Sequence, residues 1–397
     1  MFAMKNVFAT LLILQCCVAS AEDKRAQYPA FLQNSYVGFH VGYVDYRFSN
    51  SQLQNGAHAE SVQIPHLGVR AFLFGHEFNQ YFSAQITYMR PVQWVHYRDI
   101  NGDSGSHSVW MNLAGLTAKP RLPLTKDISL YAEGGLGIIT RKGFDLGEAA
   151  ALKDANYAAV LWGGGLQYRL NANWNLEAGI TSSPAHNSAR QPRTSFFSGG
   201  FNYTIHALSE EQVERNSSSA FVFPKNVFQI GYTTDAFGYG VNDFVSKGAV
   251  PVFWAADVQI AQGLSANYQR NIFHTRRLFS LDWGAGLASW RSRTNRQQFS
   301  TASLYPILRF TVLRAKPLDL YLDYSLAGPT FISRTVIDNR QTGRQFTFQD
   351  FMGGGIFLGH KRNINAEIRI AHFSNGNLFP RNPGVTVPLS FFVGYSY

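Results

Sequence analysis

Hydrophobic and polar residues alternate with period two through Asn363–Gly376. Ile364, Ala366, Ile368 and Ile370 hold one set of positions; Asn363, Asn365, Glu367 and Arg369 hold the other. Successive side chains of a strand leave on opposite faces, so this stretch predicts a strand with one apolar and one polar face. The same alternation recurs along the chain, separated by segments rich in Asn, Gly, Asp, Ser and Lys, which are turn chemistry. In the first half it predicts eight strands, at 35–48, 66–78, 81–92, 108–122, 128–141, 157–170, 174–184 and 194–207. In the second half it predicts 227–240, 250–260, 279–292, 300–314, 318–333, 346–360, 363–375 and 388–397. There 263–273 is either a further strand or the second arm of a long hairpin. Residues 208–224 break the pattern with Ser209-Glu210-Glu211-Gln212 and Asn216-Ser217-Ser218-Ser219, which reads as a polar, flexible linker.

An apolar strand face looks into a soluble core or out at lipid. Composition favours lipid. Of 397 residues only 15% are charged, 15% are aromatic and 35 are glycine. No run of about 18 apolar residues exists to make a membrane-spanning helix. A chain can still span by closing strands into a barrel, which satisfies every backbone group. The start of the chain reads as an export signal: Lys5, an apolar stretch from Val7 to Val18, and Ala19-Ser20-Ala21 before Glu22. Both cysteines, Cys16 and Cys17, fall inside it, so the exported protein would have no thiol for a disulfide or a zinc site.

The fold class expected is therefore all-β, two tandem eight-stranded transmembrane antiparallel β-barrels. Their boundaries would be a signal peptide at 1–21, a first barrel at 35–207, the linker at 208–224 and a second barrel at 225–397. The alternative is a single barrel of about sixteen strands, against which the linker argues. Residues 35–207 resemble, in pattern alone, the small OmpA-like outer-membrane barrels. The last strand, Leu389 to Tyr397, alternates apolar residues and stops on an aromatic, as outer-membrane barrels do.

Charge and motifs then narrow the function. A formal charge of +10 suits an acidic partner, and for an exported barrel a phosphorylated lipid surface replaces nucleic acid. Walker loops, HExxH and zinc-type cysteine spacing are absent. Gly163-Gly164-Gly165 and Gly353-Gly354-Gly355 are followed by no helical pattern and read as barrel-interior glycines. His-x-Ser occurs twice, at His186/Ser188 and His372/Ser374. On a strand it sets imidazole and hydroxyl on one face, where the histidine can take the serine proton. At His186 the sequence continues Ala189-Arg190-Gln191, and an interfacial polar pair suffices. At His372 it continues through Asn375-Gly376 and Asn382-Pro383-Gly384 into the final strand.

That second constellation resembles the PagL-type lipid A 3-O-deacylases, over about 227–397 and most sharply over 346–397. The resemblance implies an eight-stranded outer-membrane barrel with a serine esterase site on its outer wall. It implies Ser374 as nucleophile, His372 as general base and Asn375 as oxyanion donor. The substrate would be lipid A of lipopolysaccharide in the outer leaflet, with neither metal nor cofactor. One departure stands out. The family's acid is a glutamate just past the Asn-Pro-Gly turn, where this chain has Val385-Thr386-Val387, and no Asp or Glu follows Glu367. Glu367 has the wrong parity and should face the interior. Asp350, at the outer end of the preceding strand, is the substitute that geometry allows. Arg276-Arg277 and Arg340/Arg344 could grip lipid phosphates. The rival functional expectation is a non-enzymatic structural or adhesive barrel with a degenerate deacylase-like half; a small porin ranks last, because narrow barrels fill their lumen.

Overall fold

In the computed structural model, residues 25–54, 56–246, 254 and 256–397 are described; the stretch expected to be an export signal, with both cysteines, lies outside them. The described chain forms two closed antiparallel barrels of eight strands each. In the first, the spanning strands are β1 (Ser35–Tyr46), β2 (Leu67–Asn79), β3 (Phe82–Pro91), β4 (Asp103–Pro123), β5 (Ile128–Lys142), β6 (Ala155–Arg169), β7 (Trp174–Ser183) and β8 (Thr194–Ile205). Pairing of β4 with β5 and of β1 with β8 closes the ring. The second consists of β9 (Asn226–Thr234), β10 (Val258–His274), β11 (Phe279–Ser292), β12 (Gln298–Arg314), β13 (Leu318–Ile332), β14 (Phe346–Leu358), β15 (Ile364–Ser374) and β16 (Val385–Ser396), with β9 and β16 sealing it. The sixteen-strand alternative is thereby excluded: among the described residues no ladder joins the rings.

The alternation read from the sequence is realised as inside against outside. On β1 the side chains of Val37, Phe39, Val41 and Tyr43 are exposed, whereas His40 between them is buried. An exposed apolar band of this kind on both barrels is the surface that lipid covers. The interior is polar and filled. In the first barrel Arg70 forms a two-pronged pair with Glu133, which also accepts from Thr117 (2.7 Å), Gln85 and Thr181 (3.1 Å each). Lys119 pairs with Glu177 beside it. In the second, Glu367 accepts from Arg369 Nε (2.7 Å), Gln229 (2.8 Å) and Tyr321 (3.0 Å), facing inward as its parity requires. Arg309 pairs with Asp282. Such networks suit a low-dielectric lumen because each buried charge finds its partners. A porin would need that space as water.

Three expectations need correction. The strand expected at 227–240 ends at Thr234, and Gly240–Phe244 is a short helix, α2. Of the strand expected at 250–260, residues 250–253 and 255 lie outside the described ones, and its end belongs with 263–273 to one long strand, β10, which begins at Val258. The expected linker contains a helix, α1 (Glu210–Ser217), started by a capping box between Ser209 and Gln212.

The short turns, such as 275–278, 315–317 and 359–363, lie at one end with both barrels' termini. The longer connections, among them 235–246, 333–345 and 375–384, lie at the other. Short periplasmic turns and long outer loops are the outer-membrane arrangement. The residues before β1 also reach the second barrel. Tyr28 stacks on Phe273 at 4.3 Å, and Arg25 donates to Phe223 O (3.0 Å) and Asn271 Oδ1 (3.1 Å).

Candidate active site

On β15 the odd residues Asn365, Glu367, Arg369, Ala371 and Phe373 fill the lumen, and the even ones leave outward. His372 and Ser374 therefore stand on the outer wall at the loop end, above Ile364 and Ile368, which are exposed. The register sets what flanks them. His372 is the direct cross-strand partner of Asp350 on β14 and of Thr386 on β16; Ser374 is that of Phe348. Directly opposed residues share a face, with Cβ atoms about 4.5–5.5 Å apart. Asp350, His372 and Thr386 thus form a row across three strands. Pro388, which cannot donate to a ladder, coincides with a register shift between β15 and β16.

His372 is outward yet buried, at 1% exposure. Trp254 lies nearly parallel to its ring, with centroids 5.9 Å apart. Trp254 and Val245 also pack with Ile370, so the loop above β9 lays an apolar cover over the imidazole. Asn242 of α2 secures that loop by donating to Val387 O (2.9 Å).

The Asp350 carboxylate, beside His372 in register, accepts from the backbone N–H of Ala327 on its other flank, at 2.5 Å. Ala327 sits in a bulge of β13 with φ +51°, and the carboxylate satisfies the amide that the bulge releases. Asn375 is buried; its side-chain amide donates to Arg381 O (2.7 Å) and Thr342 O (3.3 Å), and its backbone N–H to Asn382 Oδ1 (2.8 Å). Asn375 and Asn382 so tie the loop after the serine into a compact turn, with Gly376 and Asn377 both left-handed at φ +61° and +56°. That conformation suits Gly and Asn and few other residues.

The remaining candidates divide by position. Arg340 and Arg344 are exposed at the loop end, and Arg344 lies over Phe379 at 5.2 Å. Arg381, which the sequence reading passed over, is exposed in the same neighbourhood. Arg276 and Arg277 are in the β10–β11 turn at the opposite end, so they cannot meet phosphates near His372. Ser188 does contact His186 Nδ1, at 3.2 Å, but the same nitrogen accepts Ala189 N–H at 3.2 Å and the pair belongs to a turn. Among the described residues no cluster of His, Asp or Glu could hold a metal ion.

Fold and wall position define a tandem β-barrel protein of the bacterial outer membrane. Its C-terminal barrel carries the domain described as Lipid A 3-O-deacylase (PagL), at residues 261–396, and residues 8–204 match the Outer membrane protein beta-barrel domain. The chain is thus a PagL-like outer-membrane protein with a second barrel ahead of the PagL domain. Among solved structures it is similar to the outer membrane enzyme PagL (16% identity, 43% of this chain and 97% of that one, TM-score 0.29). It is also similar to the N-terminal β-barrel domain of Pseudomonas aeruginosa OprF (14%, 44% and 98%, 0.28) and to Neisserial surface protein A (16%, 44% and 98%, 0.30). At these scores the likenesses carry no functional weight. No curated protein matches the chain.

Proposed function

We propose that the second barrel is a serine esterase that removes the ester-linked 3-O acyl chain of lipid A in the outer leaflet. The observation that carries the reading is the pairing of His372 and Ser374 on the lipid-facing wall at the loop end of β15, within the PagL domain. Polar side chains are costly on that face, and here they come as a base and a hydroxyl two residues apart. Ser374 Oγ attacks the acyl carbonyl as its proton passes to His372. The tetrahedral oxyanion is met by Asn375, which gives up its longer bond, to Thr342 O, to do so. Collapse expels the sugar hydroxyl, protonated by His372, and water frees the acyl group by the same route in reverse. Asp350 orients His372 with the carboxylate oxygen that Ala327 does not take. Arg340, Arg344 and Arg381 hold the lipid A phosphates from above.

A second reading has its own support. Asp350 serves a bulge and Asn375 serves a loop, so both are explained without catalysis. On that reading the protein is a structural or adhesive barrel pair. Mass spectrometry of lipid A from cells making the wild type or Ser374→Ala separates the two. A 3-O-deacylated species present with the wild type and lost in the variant is expected. Identical acylation in both cells would leave the structural reading standing.

A further inference from the structure

The outer wall of the first barrel is not apolar throughout. On β4 the outward positions run Trp110, Asn112, Ala114, Leu116, and on β5 Leu136, Ile138, Thr140. Leu116, Leu136 and Ile138 are exposed, as lipid-facing residues are. Asn112 and Thr140 are buried, at 2% and 1%. What buries them is the loop that follows Ser374. Asn112 Nδ2 donates to Asn377 O (2.8 Å), with Gly376 O at 3.5 Å. Thr140 Oγ1 donates to Leu378 O (3.0 Å), as does the outward Asn156 Nδ2 of β6 (2.6 Å). Tyr88 of β3 accepts from Asn112 Nδ2 (2.9 Å), steadying it. Three consecutive carbonyls of one tight turn are therefore received by side chains from three strands of the other barrel.

We propose that the first barrel is a positioning partner for the candidate esterase, and that its outward polar patch fixes the Gly376–Leu378 turn and through it Asn375 and Ser374. The proposal rests on the esterase reading above. Within the second barrel the turn is held by Asn382 Nδ2 on Asn377 Oδ1 (2.8 Å) and by its own Leu378 N–H on Asn375 O (3.1 Å). Asn375 and Asn382 bind it from one side; the patch binds it from the other. Without the patch the turn keeps its internal bonds but loses its outer anchor, and the nucleophile and oxyanion donor sit on a looser support. Misplacement by about 1 Å can cost on the order of a hundredfold in rate.

The test uses the full-length protein in lipid A-containing bilayers, as wild type, Thr140→Val, Asn112→Leu/Thr140→Val/Asn156→Leu, and Thr140→Ser. The apolar replacements suit the lipid-facing wall. Thr140→Val is nearly isosteric and keeps the fold should the triple variant fail to assemble. Amide hydrogen exchange in 375–384 and deacylation kinetics are measured together. Expected are exchange in that loop about tenfold faster in the triple variant, a kcat lower by about tenfold with KM little changed, and smaller changes of the same sign in Thr140→Val. Thr140→Ser, which keeps the hydroxyl, should match wild type. Unchanged exchange in the variants overturns the proposal, whatever the activity. Faster exchange with unchanged kcat overturns it too, because the support would then serve nothing that hydrolysis uses. Absence of deacylation in the wild type itself instead refutes the esterase reading, and is recognised because loop exchange still separates wild type from variant.

Discussion

His372 has a carboxylate on one side in register and a threonine on the other. Two substitutions exploit this. Asp350→Asn keeps an acceptor for the Ala327 amide and removes the charge. If the carboxylate orients the imidazole, deacylation falls by about ten- to a hundredfold with barrel stability unchanged; wild-type kcat in the variant would confine Asp350 to the bulge. Thr386→Glu puts an acid on the outward face directly beside His372. Deacylation is expected to rise about tenfold on the esterase reading, since the Asp350 carboxylate is shared with the Ala327 amide and a second acid would strengthen the hold on the imidazole; lipid A profiles of cells carrying each variant read both. Most of this geometry was legible from the chain alone. Parity placed His372, Ser374 and Asp350 outward and Glu367 inward, because a period of two admits no other assignment. Two facts were not legible. Nothing in the residues around Asp350 says that a bulge in the preceding strand, 23 residues earlier, would offer it an amide. Nor does Trp254, far off in sequence, announce that it covers the imidazole.

At the scale of the element, the lumen strands carry the stability. Glu133 on β5 receives Arg70, Thr117, Gln85 and Thr181, which come from four other strands. Glu133→Ala would leave the Arg70 charge buried without its partner, at a cost of about 3–5 kcal/mol in unfolding by denaturant from detergent or bilayer. Pairing it with Arg70→Met should restore much of that loss. An unfolding midpoint unmoved by Glu133→Ala would mean the lumen admits enough water to solvate the guanidinium. Strand limits came out of the alternation almost residue for residue where turns are short, because turn chemistry brackets the pattern. They failed after Thr234, where Gly240–Phe244 turns helical instead of continuing the strand. The polar outward positions Asn112, Thr140 and Asn156 were not singled out by the alternation, and their partner lies more than two hundred residues away, a distance that local pattern does not carry.

The whole molecule is two closed rings in one chain, which the polar stretch after Ile205 and the restarted alternation already implied. Their relation was not implied. It comes from two contacts: Tyr28 and Arg25 against the base of the second ring, and the Gly376–Leu378 turn against the wall of the first. A lone cylinder in a bilayer spins about the membrane normal. One pinned at top and bottom to a companion cannot. The edge bearing Ser374 therefore keeps a set compass bearing, and lipids drifting in the leaflet reach it from the sector its companion leaves open.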